Sequence, residues 1–315
     1  MSEKGRLRVG TRGSALALAQ AGAVAERLGA QLVTITSEGD RSTASLASLG
    51  GTGVFATALR EALLAGEIDA VVHSCKDLPT APAPGLTIAA FPRRADPRDA
   101  LCARDGLTLD TLPEGALVGT GSPRRRAQLA ARRPDLRLAD IRGNVDTRLA
   151  RVGLGEAPDQ DPQRRLDAVV LAAAGLERLG RLGDASELLP LPDWPTAPAQ
   201  GALAVETRTG EQSLVSRLDH RPTRLAVEAE RGVLERLEAG CAAPVAAHAF
   251  LEDGLLYLSA RVYAPDGAAQ LTSSHALYPE DSPHPAQELA GRVAEELLEA
   301  GAAGLAPLGA ERSRS

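Results

Sequence analysis

Aromatic residues are scarce in this 315-residue chain, which has three Phe, three Tyr and one Trp. Proteins that hold single-stranded nucleic acid stack bases on aromatic side chains, so nucleic acid is not an expected partner. Cysteine is limited to Cys75, Cys102 and Cys241, an odd number with no CxxC pair. This argues against a disulfide framework or a zinc knuckle. His73 and His248 have no partner at metal-ligand spacing, so no metal site is expected. No apolar run approaches the ~20 residues of a membrane span, and no charged-then-apolar leader precedes the first strand pattern. The expectation is a cytoplasmic protein with no membrane partner.

Lysine and asparagine are also nearly absent, leaving Lys4, Lys76 and the single Asn144. Depletion on this scale is a bias acting on the whole chain, so abundant arginine by itself carries little meaning. The retained exceptions, Lys76 in HSCKDLP and Asn144 in RGNVDTR, carry more. The arginines are not evenly spread. Residues 120–148 hold eight arginines against three aspartates, in a chain whose formal net charge is −6. A guanidinium is a planar fork that pairs bidentately with carboxylate or phosphate. The block therefore points to a small, carboxylate-rich ligand.

At this length, with 44% hydrophobic residues, the chain can bury more than one core. Strand patterns at 7–11, 31–36, 68–73 and 86–91 alternate with helices from about Ser14 and over 55–65. A similar rhythm restarts with a strand at 116–120 and a helix from about Ser122. It continues through a strand near 136–141, a helix from about Asn144, a strand at 168–171 and a helix to Leu179. This alternation predicts mostly parallel, helix-covered sheets. After Pro222 a long helix, strands around 245–250, 255–262 and 269–276 and a final helix predict a smaller α+β domain. Two proline-rich seams, 92–98 and 190–198, join the α/β parts. The strand in QGALAVETR returns to the first sheet, giving a two-lobed α/β architecture with a hinge, like that of periplasmic binding proteins.

Ligands of such sheets sit beyond the carboxyl ends of the strands. That rule gathers 11–14, 73–77, 120–125 and 142–144 around one cleft. TGSPRRR places arginines and free backbone N–H groups at a helix start, an anion site unless it is simply an exposed basic helix. It lacks the ending of a P-loop. Asp77, next to Lys76, is either half of a surface ion pair or a carboxylate for acid/base or charge-stabilising work. RSTASLASLGGTG is either a mobile lid or an ordinary loop.

HSCKDLP, GTGSPRRRAQL, RGNVDTRL, LAAAGLERLG, AQGALAVE and LEAGCAAP occur in that order. They resemble the signature blocks of the hydroxymethylbilane synthase (porphobilinogen deaminase) family. The resemblance implies a discontinuous domain 1 (1–93 and 194–214), an inserted domain 2 (97–189) and a domain 3 (217–315) that carries the cofactor cysteine. It implies stepwise condensation of four porphobilinogens with loss of ammonia, and release of the linear tetrapyrrole by water. One dipyrromethane per chain would be held covalently by Cys241. Asp77 would be catalytic. Lys76, Asp77, Thr120, Ser122, Arg124, Arg125, Arg142 and Gly143 would contact the cofactor, and Arg12, Ser14, Arg142, Arg148, Arg178 and Gln200 the substrate. The expected oligomeric state is a monomer.

Three departures from the family pattern stand out. Thr52 and Thr57 occupy positions in and after the GG-x-G loop where relatives usually carry lysine. Gly121 stands where serine is common, and Ala199 replaces a usual glycine. Taken without the resemblance, two other readings stay open. One is a non-catalytic two-lobed receptor for an anionic small molecule. The other is a cysteine-nucleophile enzyme, which needs a nearby histidine such as His248. A lone thiol such as Cys241 is also often just a packed small hydrophobe.

Overall fold

The computed structural model describes residues 6–35, 53–154, 161, 164–240 and 243–309. In chain order the strands are β1 (Arg8–Thr11), β2 (Gln31–Thr34), β3 (Ala70–Ser74), β4 (Leu86–Ala90), β5 (Asp99–Ala103), β6 (Leu117–Gly119), β7 (Arg137–Ala139), β8 (Ala168–Ala172), β9 (Glu187–Leu188), β10 (Leu203–Arg208), β11 (Val245–Glu252), β12 (Leu255–Tyr263) and β13 (Gln270–Leu277). The helices are α1 (Ala15–Leu28), α2 (Gly53–Leu64), α3 (Pro123–Arg132), α4 (Val145–Ala150), α5 (Ala173–Arg178), α6 (Arg221–Arg236), α7 (Pro285–Glu299) and α8 (Ala302–Leu305). The chain divides into two compact units, residues 1–95 with 201–225 and residues 96–200 with 226–315.

The first unit is built on a sheet ordered β2-β1-β3-β10-β4. Strands β1, β2 and β3 run parallel, and β10 lies antiparallel between β3 and β4. Alternation of side chains along the strands sends Val9, Ala70 and Val72 to one face, where they pack with Val24, Ala25 and Leu28 of α1. Val71 goes to the other face, against Leu59 and Leu63 of α2 and Ile68. Gly10 also faces that side, and a Cβ there would lie 2.3 Å from the Ile68 side chain. The returning strand expected in QGALAVETR is β10, with Leu203 opposite Ser74.

The second unit repeats this plan in the order β7-β6-β8-β5-β9, again with one strand, β5, antiparallel to its neighbours. Leu101, Val118, Ala168 and Val170 pack on one face with Leu129 of α3 and Trp194. Ala100, Cys102, Val169 and Leu171 pack on the other with Leu149 of α4 and Leu176 of α5. The same unit holds the antiparallel sheet β11-β12-β13. Leu289, Val293 and Leu297 of α7 are buried, and α6 and α7 approach so closely that a Cβ at Gly232 would lie 2.8 Å from that of Ala290. Contact between the two sheet systems runs through α3. Ala127 packs with Ala246 and Tyr263, and Gln128 Nε2 donates to the Tyr263 hydroxyl at 3.1 Å.

Strands β5 and β9 are absent from the sequence reading. All five residues of β5 are buried, so the strand shows no alternation of apolar and polar positions. It also starts straight after the proline- and arginine-rich seam, whose composition reads as connector. Otherwise the fold class is the one expected: two helix-covered, mostly parallel sheets and a smaller α+β part. Among the described residues, no helix is long and apolar enough to cross a membrane.

Candidate active site

In the first unit, β1 and β3 are parallel neighbours, so their carboxyl ends lie on one edge of the sheet. After β1, Ser14 caps α1 by accepting from the Ala17 N–H at 3.3 Å, with Arg12 half-buried just before it. After β3 the chain turns through one 3₁₀ turn, Cys75–Asp77. The Cys75 N–H donates to Ala202 O at 3.0 Å and the Leu78 N–H to Cys75 O at 3.2 Å. With Cys75 fully buried as the anchor, Lys76 and Asp77 are left exposed.

Directly behind this turn is a buried charge network that sequence reasoning missed. Glu206 of β10 accepts from Arg60 Nε and Nη2, both at 2.9 Å. Its Oε2 lies 3.2 Å from His73 Nε2. Burial works to raise the Glu206 carboxyl, but His73 and Arg60 outweigh it and hold the group below the ordinary range.

In the second unit, β6, β7 and β8 are parallel neighbours, and each is followed by one of the arginine blocks. Ser122 caps α3 by accepting from the Arg125 N–H at 3.4 Å, and Pro123 occupies the first turn where no N–H is needed. Thr120 is fully buried, and its hydroxyl accepts from the Ser122 N–H at 3.2 Å. After β7, Gly143 takes the left-handed φ of 108° that favours glycine. Asn144 then caps α4, its Oδ1 accepting from the N–H and the hydroxyl of Thr147 at 2.8 and 2.7 Å. Arg148 Nε donates back to Gly143 O at 2.8 Å. Burial, followed by the nearby charges of Arg125 and Arg142, lowers the Arg148 pKa. Arg178, at the end of α5, is lowered mainly by burial. Arg142 is exposed.

Arg124 and Arg125 are 3% and 6% exposed and converge on one carboxylate, that of the fully buried Asp99. Arg125 Nη2 reaches Asp99 Oδ1 at 2.6 Å and Arg124 Nη1 reaches Oδ2 at 2.9 Å. Gln200 Nε2 donates to Oδ1 at 2.8 Å, and the indole N–H of Trp194 to Oδ2 at 2.9 Å. Burial by itself would raise the Asp99 carboxyl, but the two guanidinium groups hold it far below the ordinary carboxylate range. Arg125 Nη1 also donates to Val170 O at 2.9 Å, and Gln200 Nε2 to Pro97 O at 2.8 Å. Two donors remain: the Nε atoms of Arg124 and Arg125 are buried with no hydrogen-bond partner. Two guanidiniums on one carboxylate, with unspent donors and with Arg142 and Arg148 close by, suit a ligand rich in carboxylates such as a dipyrromethane.

Thr120, Ser122, Arg124, Arg125, Arg142, Gly143, Arg148, Arg178 and Gln200 all lie in the second unit, where Arg125, Arg142 and Arg148 are close enough to feel one another's charge and Gln200 shares Asp99 with Arg124 and Arg125. Arg12, Ser14, Lys76 and Asp77 gather in the first. Cys241 and Thr52 lie outside the described residues, while Thr57 is an exposed residue of α2. The other two thiols are fully buried, and burial pushes that of Cys102 up to about 12. Among the described residues no cluster of His, Cys, Asp or Glu could hold a metal. Asp99 could have been suspected only from the isolated acid opening a buried apolar run, and Trp194 only from being the chain's sole tryptophan.

One of the departures has a local cause, and another runs against its backbone. A Cβ at Gly121 would lie 2.6 Å from Ile141 O, so a serine there would force the backbone to move. Ala199 is fully buried at φ 62°, a left-handed conformation better suited to the usual glycine. Its N–H is held by Glu230 Oε2 at 2.5 Å.

The model of the porphobilinogen deaminase dipyromethane cofactor binding domain matches residues 7–216, and that of the porphobilinogen deaminase C-terminal domain matches residues 224–299. The chain is 58% identical to a porphobilinogen deaminase of Leifsonia xyli, over 97% of this chain and 95% of that protein. It is 52% identical to those of Cutibacterium acnes, over 98% of both chains, and Thermobifida fusca, over 94% of both. With family domains matched along most of its length and the arginine-lined strand ends carrying the signature blocks, this chain belongs to the porphobilinogen deaminase family.

Proposed function

We propose that this chain is a hydroxymethylbilane synthase working in the cytoplasm as a monomer. It joins four porphobilinogens, head to tail, onto a dipyrromethane held by Cys241. The observation that carries this reading is the convergence of Arg124 and Arg125, with unspent buried donors, beside Arg142 and Arg148 at the carboxyl ends of β6 and β7. Each porphobilinogen ring bears an acetate and a propionate, so a growing chain of rings needs many cations close together. Domain boundaries at 1–93 with 194–214, 97–189 and 217–315 belong to the same reading. A non-catalytic receptor would leave the cofactor-binding domain without purpose.

The bound dipyrromethane supplies the ring onto which the first substrate ring is joined. In each cycle the aminomethyl C–N bond of one porphobilinogen breaks and ammonia leaves. A C–C bond forms to the neighbouring ring, which gives up a proton. Asp77 is exposed at the end of its 3₁₀ turn and supplies the negative charge that stabilises the cation developing as ammonia departs. Lys76, Thr120, Ser122, Arg124, Arg125, Arg142 and Gly143 hold the cofactor. Arg12, Ser14, Arg148, Arg178 and Gln200, with Arg142, hold the incoming ring and the growing chain. Burial of both Cys75 and Cys102 in the cores supports Cys241 as the attachment point.

The test is intact-mass and peptide-mass analysis of the purified protein. Wild type should carry a two-pyrrole adduct confined to the Cys241 peptide. Cys241→Ala should lose the adduct and the activity. Asp77→Ala should keep its fold and lose on the order of 10²-fold or more in kcat. An active wild type with no adduct on Cys241 would sink the assignment.

A further inference from the structure

We propose that Asp99 is the positioning residue of the cofactor pocket. Its buried carboxylate draws Arg124, Arg125 and Gln200 into place before any pyrrole is bound and leaves the group one positive charge in excess. This inference rests on the reading that Arg124 and Arg125 receive the dipyrromethane. Asp99 itself is fully enclosed, so it acts through the side chains it holds.

The argument starts from charge. Two guanidinium groups carried on consecutive residues of one helix repel each other, and burying both without a counter-charge is strongly unfavourable. Asp99 is 0% exposed and meets one guanidinium on each oxygen. Neutral donors complete the shell: the Gln200 amide on Oδ1 and the Trp194 indole on Oδ2. These fix the plane of the carboxylate, and the carboxylate in turn fixes both forks. The Gln128 side chain braces the same Nη1 of Arg124 that reaches Asp99, accepting from it at 2.6 Å and donating to Pro195 O at 2.8 Å. A single carboxylate against two cations cannot neutralise both. What remains is one net positive charge and two Nε donors that are buried and unused. A second carboxylate in place of Trp194 or Gln200 would cancel that charge, and no carboxylate at all would leave the forks unaligned. The pocket is thus set for an anion without depending on the anion to build it.

Two substitutions separate this from a purely structural role. Asp99→Asn keeps the shape and removes the charge. Asp99→Glu keeps the charge and overfills a closed site by one methylene, which costs stability. Apo-protein of each, made in cells that produce no porphobilinogen, is given porphobilinogen well below its melting temperature. The rate of the two-pyrrole mass gain is then compared with the thermal midpoint. Positioning predicts that loading follows charge: Asp99→Asn loads at least tenfold more slowly than wild type, and Asp99→Glu loads faster than Asp99→Asn even if it melts lower. Loading that instead follows melting temperature, or an Asp99→Asn protein that loads at the wild-type rate, overturns the proposal. If neither variant folds, Trp194→Phe decides, since it removes one donor to Asp99 and no charge. It should slow loading severalfold, and wild-type loading by that variant overturns the proposal. Wild type that gains no mass would fail the underlying cofactor reading instead, a distinct result.

Discussion

Replacing Glu230 with glutamine should destabilise the second unit by about 2–4 kcal/mol. Glu230 is fully buried on α6 and accepts two backbone N–H groups, that of Ala199 at 2.5 Å and that of Ala249 at 2.7 Å, one on each oxygen. It thereby ties the segment before β10 and the edge of β11 to one helix. Glutamine has the same shape but only one acceptor oxygen, so in either orientation its NH₂ points at one of these N–H groups. The remaining bond loses its charge assistance, worth about 1 kcal/mol, and the stranded N–H costs about 1–3 kcal/mol. Some relief comes from no longer burying a charge, and the new NH₂ can approach His248 Nδ1, which lies 3.5 Å from Glu230 Oε1 and is otherwise buried without a partner. At roughly 2–4 °C per kcal/mol for a unit of this size, the calorimetric transition should move down by about 4–16 °C. Hydrogen exchange should speed up at the Ala199 or Ala249 amide and stay unchanged at β1 and β3. A shift within 2 °C, with both amides still protected, would refute the reasoning.

Ala199→Gly should leave stability unchanged or raise it by up to about 1 kcal/mol, because relief of the left-handed alanine outweighs the extra chain entropy of glycine; a drop in midpoint of several degrees would show that the alanine methyl, not the backbone, decides this site. The Glu206 carboxyl is lowered in the folded protein, so its contribution to stability is fully present above its unfolded pKa near ~4.5 and is lost as pH falls through the lower folded value. Denaturant midpoints measured from pH 6 down to pH 3 should therefore fall less steeply for Glu206→Gln than for wild type, from a lower starting point, and parallel curves would contradict the assignment.

Much of this protein follows from short-range chemistry that a sequence displays directly. Ser14, Ser122 and Asn144 were legible as helix starts because a cap is made with an N–H three residues on. The strand ends that carry Asp77 and the arginines were legible because alternation of apolar segments marks where each strand stops. The chemistry was legible because the residue types match a ligand rich in carboxylates. The partners of those arginines were not. Asp99 lies 26 residues from Arg125, and Gln200 and Trp194 lie 101 and 95 residues from Asp99. No local pattern links them, and only strand pairing brings β5 beside β8 so that they meet in a dry interior. There, water no longer competes for the carboxylate, and one aspartate can hold two guanidiniums. The antiparallel strand β5 was likewise fixed by pairing rather than by pattern, as were the antiparallel position of β10 between β3 and β4 and the close approach of Ile141 O that admits only glycine at position 121. The sequence by itself determined most of the elements, their caps and the kind of ligand. Tertiary structure decided which charges face each other, because that depends on distance and on the exclusion of water.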